Sequence, residues 1–314
     1  MGVFFAALSA LLFGSADFAG GVATRRNSVY AVLLLSQAVG LMLALAAAPL
    51  IGAVTGAGGV ANAAGAVEFA GAGGAGAAGA AGAAAAATGV IVTSADMLWG
   101  AAAGLAGALG MSFLYKGLAR GVIAVVSPLA AVVGAAVPVL GGAFLGELPG
   151  LLGQIGIAVS IPAIFLLGWE PVGARDRSEV LLSVRYGAIA GLCFGVFFIF
   201  ISRPSAAAGM WPLVAARAAT LPVLLFFIVA GRRPMGVART GMSAVILAGA
   251  FDMSANISFV LASHYGLLSV AAVITSLAPA PTVILGRILL GQRLTPSRIL
   301  GIALAVFGVV LLSV

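Results

Sequence analysis

Four polar side chains sit inside runs that are otherwise apolar. Asp252 lies in the middle of the run 241–262, and Asn256 follows one helical turn later on the same face. Arg217 lies a third of the way into 211–230, and Asp17 toward the end of 2–21. Ionisable groups at membrane depth are costly, so each is first read as part of a substrate or proton pathway. In that reading Asp252 binds a cationic group or a proton, and Arg217 holds a carboxylate. The competing reading is an Asp252–Arg217 pair that only fastens two helices. For Asp17 the alternative is a carboxylate reaching headgroup water, with Arg25 and Arg26 about two turns on. For Asn256 it is an interhelical hydrogen bond, worth about 1 kcal/mol.

These residues must be positioned by membrane helices. The chain has 314 residues, 63% hydrophobic and 7% charged, where a soluble domain carries about a quarter charged. Within a bilayer the backbone must satisfy its own hydrogen bonds, so apolar runs of about 20 residues read as spanning helices. Such runs fall at 2–21, 29–52, 97–115, 121–145, 151–169, 186–202, 211–230, 241–262, 267–290 and 298–314. All the Trp and Tyr residues (Trp99, Trp169, Trp211, Tyr30, Tyr115, Tyr186 and Tyr265) sit at or beside a run's end, as interfacial rings prefer. The first 24 residues hold no Lys or Arg, so the first run is expected to be a retained span and not a signal peptide.

The ten runs divide into two copies. A shift of 145 residues brings Gly104 onto Gly249, Gly121 onto Gly266, Gly146 onto Gly291, and Gly156-Ile157-Ala158 onto Gly301-Ile302-Ala303. A shift of 181 brings Phe13-Gly14 onto Phe194-Gly195 and Tyr30 onto Trp211; it also sets Ser36 and Gln37 at the position of Arg217. The difference between the shifts is taken up by a Gly/Ala-rich insertion at 53–95. The copies are therefore 1–170 and 185–314. Five spans is an odd number, so they enter the membrane from opposite sides, which is the inverted-topology arrangement of secondary transporters. The expected fold is all-α and integral to the membrane, with ten transmembrane helices as two five-helix inverted repeats. Ser36 and Gln37 are expected to line the same cavity as Arg217 from the other half. Pro128 and Pro138 in the fourth run, and Pro279 and Pro281 in its mate, are expected to break helices beside a substrate site.

Other chemistry finds little support. GAGGAG at Gly71–Gly76 matches a dinucleotide-binding pattern only literally, since no strand precedes it and low complexity yields such matches freely. A single Cys193 excludes an internal disulfide. His264 is the only histidine, read as a solvated connector residue. No metal spacing, Walker motif or nucleophile–base pair is present, so neither an enzyme nor a cofactor is expected. The net charge of +7 is scattered over connectors, which argues against nucleic acid and for lipid headgroups as partners. Gly100-xxx-Gly104, Gly142-xxx-Gly146 and Gly187-xxx-Gly191-xxx-Gly195 are small-residue faces for close helix packing, with a homodimer as an open alternative.

The segments 11–21, 113–158 and 259–312 resemble the EamA-type transporters of the drug/metabolite transporter superfamily. The likeness runs over nearly the whole chain apart from the insertion. Each half of that family closes with a Pro-containing helix, a Gly-Glu at its end, and a Gly-containing last helix. Gly146-Glu147 keeps this pattern and Gly291-Gln292 departs from it. The resemblance implies ten helices and gradient-driven passage of small metabolites, amino acids or drug-like compounds by alternating access, in a multi-pass cell-membrane protein. A non-transporting subunit in lipid handling or complex assembly is the alternative.

Orientation follows from charge. Counted over alternate connectors, one face holds Arg25, Arg26, Lys116, Arg120, Arg175, Arg177, Arg185, Arg232, Arg233, Arg239, Arg287, Arg293 and Arg298, and the other holds Arg203 alone. The positive-inside rule then puts both termini outside. Members of the resembled family are usually drawn with both termini inside.

Overall fold

A computed structural model describes residues 1–25, 27–54, 91–120, 122–144, 146, 148–169, 177–231, 236–238 and 241–313. Most of the Gly/Ala insertion, Glu147, Arg26, Arg175, Arg232, Arg233 and Arg239 lie outside them, as does the GAGGAG motif. The described residues form α1 (Gly2–Thr24), α2 (Val29–Val54), α3 (Ser94–Arg120), α4 (Ile123–Phe144), α5 (Leu151–Gly168), α6 (Arg177–Ile201), α7 (Trp211–Ala230), α8 (Met242–Tyr265), α9a (Leu268–Thr275), α9b (Pro279–Leu290) and α10 (Pro296–Ser313). With α9a and α9b taken as one span, ten helices are long and apolar enough to cross a membrane. α6 starts about two turns before its apolar run, because Arg177, Glu179 and Arg185 extend the helix beyond the hydrocarbon.

Connectors that alternation assigns to one face are tied to one another. Asn27 Oδ1, between α1 and α2, accepts the Ala238 N–H from the α7–α8 connector at 2.8 Å. On the opposite face the Ile91 N–H reaches the Ala207 carbonyl at 3.1 Å. Asp96 Oδ1 there accepts the Ser205 N–H at 2.8 Å. Asp96 also closes a capping box with Thr93, whose N–H and hydroxyl bond Asp96 Oδ2 at 2.9 and 2.6 Å. His264 belongs to this same face. It lies in the last turn of α8 with Nε2 3.2 Å from the Pro204 carbonyl, so it is a half-buried clasp between connectors and not a solvated loop residue.

Helix pairing is compatible with the inverted repeat. Exchanging α1–α5 for α6–α10 carries the α1·α8 contact onto α6·α3, α2·α8 onto α7·α3, and α1·α9 onto α6·α4. The pairs α2·α7, α4·α9 and α5·α10 map onto themselves. The last is reciprocal in detail. A Cβ on Gly156 would meet Leu311 and Leu312, and one on Gly301 would meet Leu166 and Leu167. Lipid tails are as apolar as the helices, so close backbone approach through small residues holds the bundle together. Gly100 and Gly104 of α3 press on the Pro212 and Ala216 carbonyls of α7, while Gly187, Gly191 and Gly195 of α6 pack on α4. These faces are used within the chain. The Gly142 face ends at Gly146, which turns the chain at φ 79°, as its mate Gly291 does at φ 64°.

The prolines act unequally. Pro128 and Pro138 lie inside a continuous α4, whereas α9 is interrupted at 276–278. Pro279 and Pro281 together remove two N–H donors two residues apart. The carbonyls of Thr275 and Leu277 bond instead to the N–H groups of Ala278 and Ala280, three residues on, at 3.1 and 2.9 Å. Pro128 and Pro138 are ten residues apart, and each deletes a single bond. The expected pair of broken helices is therefore one broken and one intact.

Candidate functional site

Polar residues of α1, α2 and α8 meet at a cavity of about 480 Å³. Its walls come from α1 (Asp17, Gly20, Gly21), α2 (Val32, Ser36, Gln37), α3 (Met111, Leu118) and α8 (Ala248, Asp252). Thr24, Val29 and Leu118 lie where α1, α2 and α3 meet the basic face, so the cavity runs from that face to the level of Asp252.

Gly249 makes the α8–α2 contact possible, since a Cβ there would lie 2.3 Å from the Ser36 carbonyl. In the mate contact Gly104 would meet the Ala216 carbonyl at 2.0 Å, and Thr220 Oγ1 sits 2.9 Å from the Gly104 carbonyl. These approaches place α2, α7 and α8 side by side. Arg217, 8% exposed, then reaches Asp252 Oδ2 through Nη2 at 2.5 Å and donates to Gln37 Oε1 through Nη1. Gly40 of α2 lies beside its Nε. Because α2·α7 is a self-paired contact, the Gln37–Arg217 bond sits where the two halves face each other.

The other expected residues are placed as follows. Ser36 lines the cavity and turns its hydroxyl onto the Leu33 carbonyl of its own helix. Asn256 donates to the Asp252 carbonyl at 2.7 Å, so its bond is within α8 and not between helices. Asp17 is exposed into the cavity instead of reaching back to Arg25, and no hydrogen bond or ion pair links it to another described residue. Pro281 stands beside Gly14 on α1, one turn from Asp17. A Cβ on Gly14 would clash with Pro281 and the Ala278 carbonyl, and Thr282 Oγ1 donates to the Gly14 carbonyl at 2.9 Å.

Toward the face opposite the cavity's mouth lies a cluster of aromatic side chains. The 181-residue shift sets Phe198 at the position of Asp17, and its ring centroid lies 4.5 Å from that of the fully buried Phe259. Phe197 stacks edge-on against Phe198, Trp99 meets Phe200, and Trp211 is 3% exposed. Trp211 opens α7, at a span's end as its position in the run suggested, and packs into the protein there. Sequence reading missed this plug because each Phe looked like ordinary span filler; the shift of 181, applied to Asp17, would have found Phe198. A second cavity of about 520 Å³ lies on that face, among the starts of α1 and α5 and the α8–α9a turn. Its walls are mostly Gly, Leu, Val and Ala, with no acidic or basic side chain among the described residues.

Residues 181–314 match the EamA-like transporter family, a family of the drug/metabolite transporter superfamily. No curated protein matches the chain. A solved crystal structure is similar over 98% of this chain and 94% of its own, with a TM-score of 0.67 at 16% identity, a likeness of fold alone. Fold and family support a general transporter role.

Proposed function

We propose that this chain, whose second half is an EamA-like unit, is a secondary transporter working by alternating access. The observation that carries the reading is the mostly apolar cavity between the halves, with Asp17 and Asp252 on its wall, which extends from the basic face to the level of Asp252 and ends below the Phe198–Phe259 cluster. Its volume lies within the range of about 300–1,000 Å³ usual for small-molecule sites. Carbonyl-tight contacts such as Gly104 on Ala216 and Gly249 on Ser36 favour rigid movement of helix groups over piecemeal bending.

In this mechanism the described state is open toward the basic face. Solute reaches the level of Asp17 and Asp252 while Phe198 and Phe259 exclude passage beyond. Rocking of the repeats about the Gln37–Arg217 and α4·α9 contacts closes α1, α2 and α8 over the cavity and parts the aromatic plug. The one interrupted helix, α9, sits against α1 at Gly14 and supplies a hinge, because its carbonyls at 275 and 277 are already paired three residues on. The driving force is a solute or ion gradient.

Flux into proteoliposomes across amino acids and organic cations tests this reading. Saturable flux of at least one solute is expected, with loss in Arg217→Ala and Asp252→Asn variants that still insert. Folded protein that carries nothing contradicts it.

A further inference from the structure

We propose that the cavity takes a small organic cation, with its ammonium group at Asp17 and a neutral oxygen at Gln37. The proposal rests on the transporter reading and names the substrate class of the same site.

Two carboxylates, Asp17 and Asp252, line the cavity, and among the described residues no Lys, Arg or His does. Arg217 stands behind the wall with both terminal nitrogens committed, so it balances Asp252 and leaves Asp17 as the lining carboxylate without a counter-charge among the described residues. Asp17 has no hydrogen-bond or ionic partner among the described residues. A lone carboxylate in a low-dielectric cleft favours an arriving positive charge and repels a carboxylate-bearing solute.

Gln37 adds an independent requirement. It is 3% exposed, and its Oε1 accepts from Arg217, which fixes the orientation of the amide. Its two N–H donors then have no partner among the described residues, in a side chain that lines the cavity. The amide nitrogen keeps access to the cavity space, so its N–H groups can donate to an oxygen on the solute. The remaining described lining, including Ala16, Gly20, Val32, Leu33 and Met111, holds no aromatic ring. The chemistry is that of a compact amino alcohol or a similar aliphatic ammonium compound, not a flat aromatic cation.

The test uses the full chain with two readouts. Thermal unfolding in detergent reads binding of ethanolamine and choline against propionate and 3,3-dimethylbutanol, the neutral isostere of choline. Currents from proteoliposomes on a solid support read movement of the same solutes. A cation is expected to raise the unfolding temperature and carry current. The Asp17→Asn variant should bind it about tenfold or more weakly, and Asp17→Glu should retain part of the effect. A temperature shift without current upholds the cation site and counts against transport. Binding of propionate or the neutral isostere as well as the cations, an unchanged response in Asp17→Asn, or no shift with either cation overturns the proposal. Flux of another solute in that case leaves the transporter reading standing.

Discussion

Arg217 and Asp252 form an ion pair inside the membrane, the guanidinium buried and the carboxylate on the cavity wall. Removing one member leaves the other without its counter-charge, which for buried pairs costs about 3–5 kcal/mol. Asp252 is partly open to the cavity, so the lower end applies. Arg217→Gln and Asp252→Asn are each expected to lower the unfolding temperature more than the double variant does. Thermal unfolding of the four proteins checks this; additive losses would mean the two charges do not depend on each other.

Helix contact through glycine makes a contrasting pair of substitutions. Gly104→Ala puts a methyl group against the Ala216 carbonyl, where nothing flexible can yield. A loss of about 1–3 kcal/mol is expected from such overpacking. Gly150→Ala meets nothing within 4 Å at a negative φ and should be nearly neutral. Fluorescence-detected size exclusion after heating distinguishes them.

The aromatic plug should be lockable. Phe198→Cys with Phe259→Cys, in a Cys193→Ser background, puts two thiols where rings now fill the gap between α6 and α8. A short bis-methanethiosulfonate that spans that gap is expected to stop flux, and reductant, which cleaves its mixed disulfides, to restore it. Full flux in the cross-linked protein would place the moving parts elsewhere.

Orientation is open to a direct check. Gly236 lies on the basic face and Ala206 on the other, both exposed. In intact cells, with Cys193 replaced, an impermeant maleimide should label Ala206→Cys and spare Gly236→Cys, as thirteen basic residues against one require. The opposite pattern would turn the molecule over.

Much of this was legible in the chain itself. The ten spans follow from run length; the 181-residue shift set Ser36 and Gln37 at the position of Arg217 as a shared cavity lining, but it did not foretell their hydrogen bond or that Arg217 stands outside the lining. Ser36 and Gln37 match Arg217 because α2 and α7 face each other across the two halves. What the residue types could not tell is direction. Asn256 turned back on its own helix, and Asp17 faced a cavity instead of Arg25, because side-chain aim depends on neighbours far along the chain. The unequal effect of the prolines was hidden for a simpler reason. Their spacing within each helix, two residues in α9 and ten in α4, decides whether carbonyls must re-pair. Asp96 carried a readable capping signal with Thr93, but not its reach to Ser205.

Access to Ser36 from each face is the most direct measurement of alternating access. Ser36→Cys is a near-isosteric change on the cavity wall, 7% exposed. It can be labelled with a membrane-impermeant methanethiosulfonate reagent in oriented proteoliposomes, with Cys193 replaced. Labelling is expected from the basic face in the resting protein, and from both faces while solute is being carried. Labelling from one face under all conditions, or from neither, would contradict a cavity that opens to each side in turn.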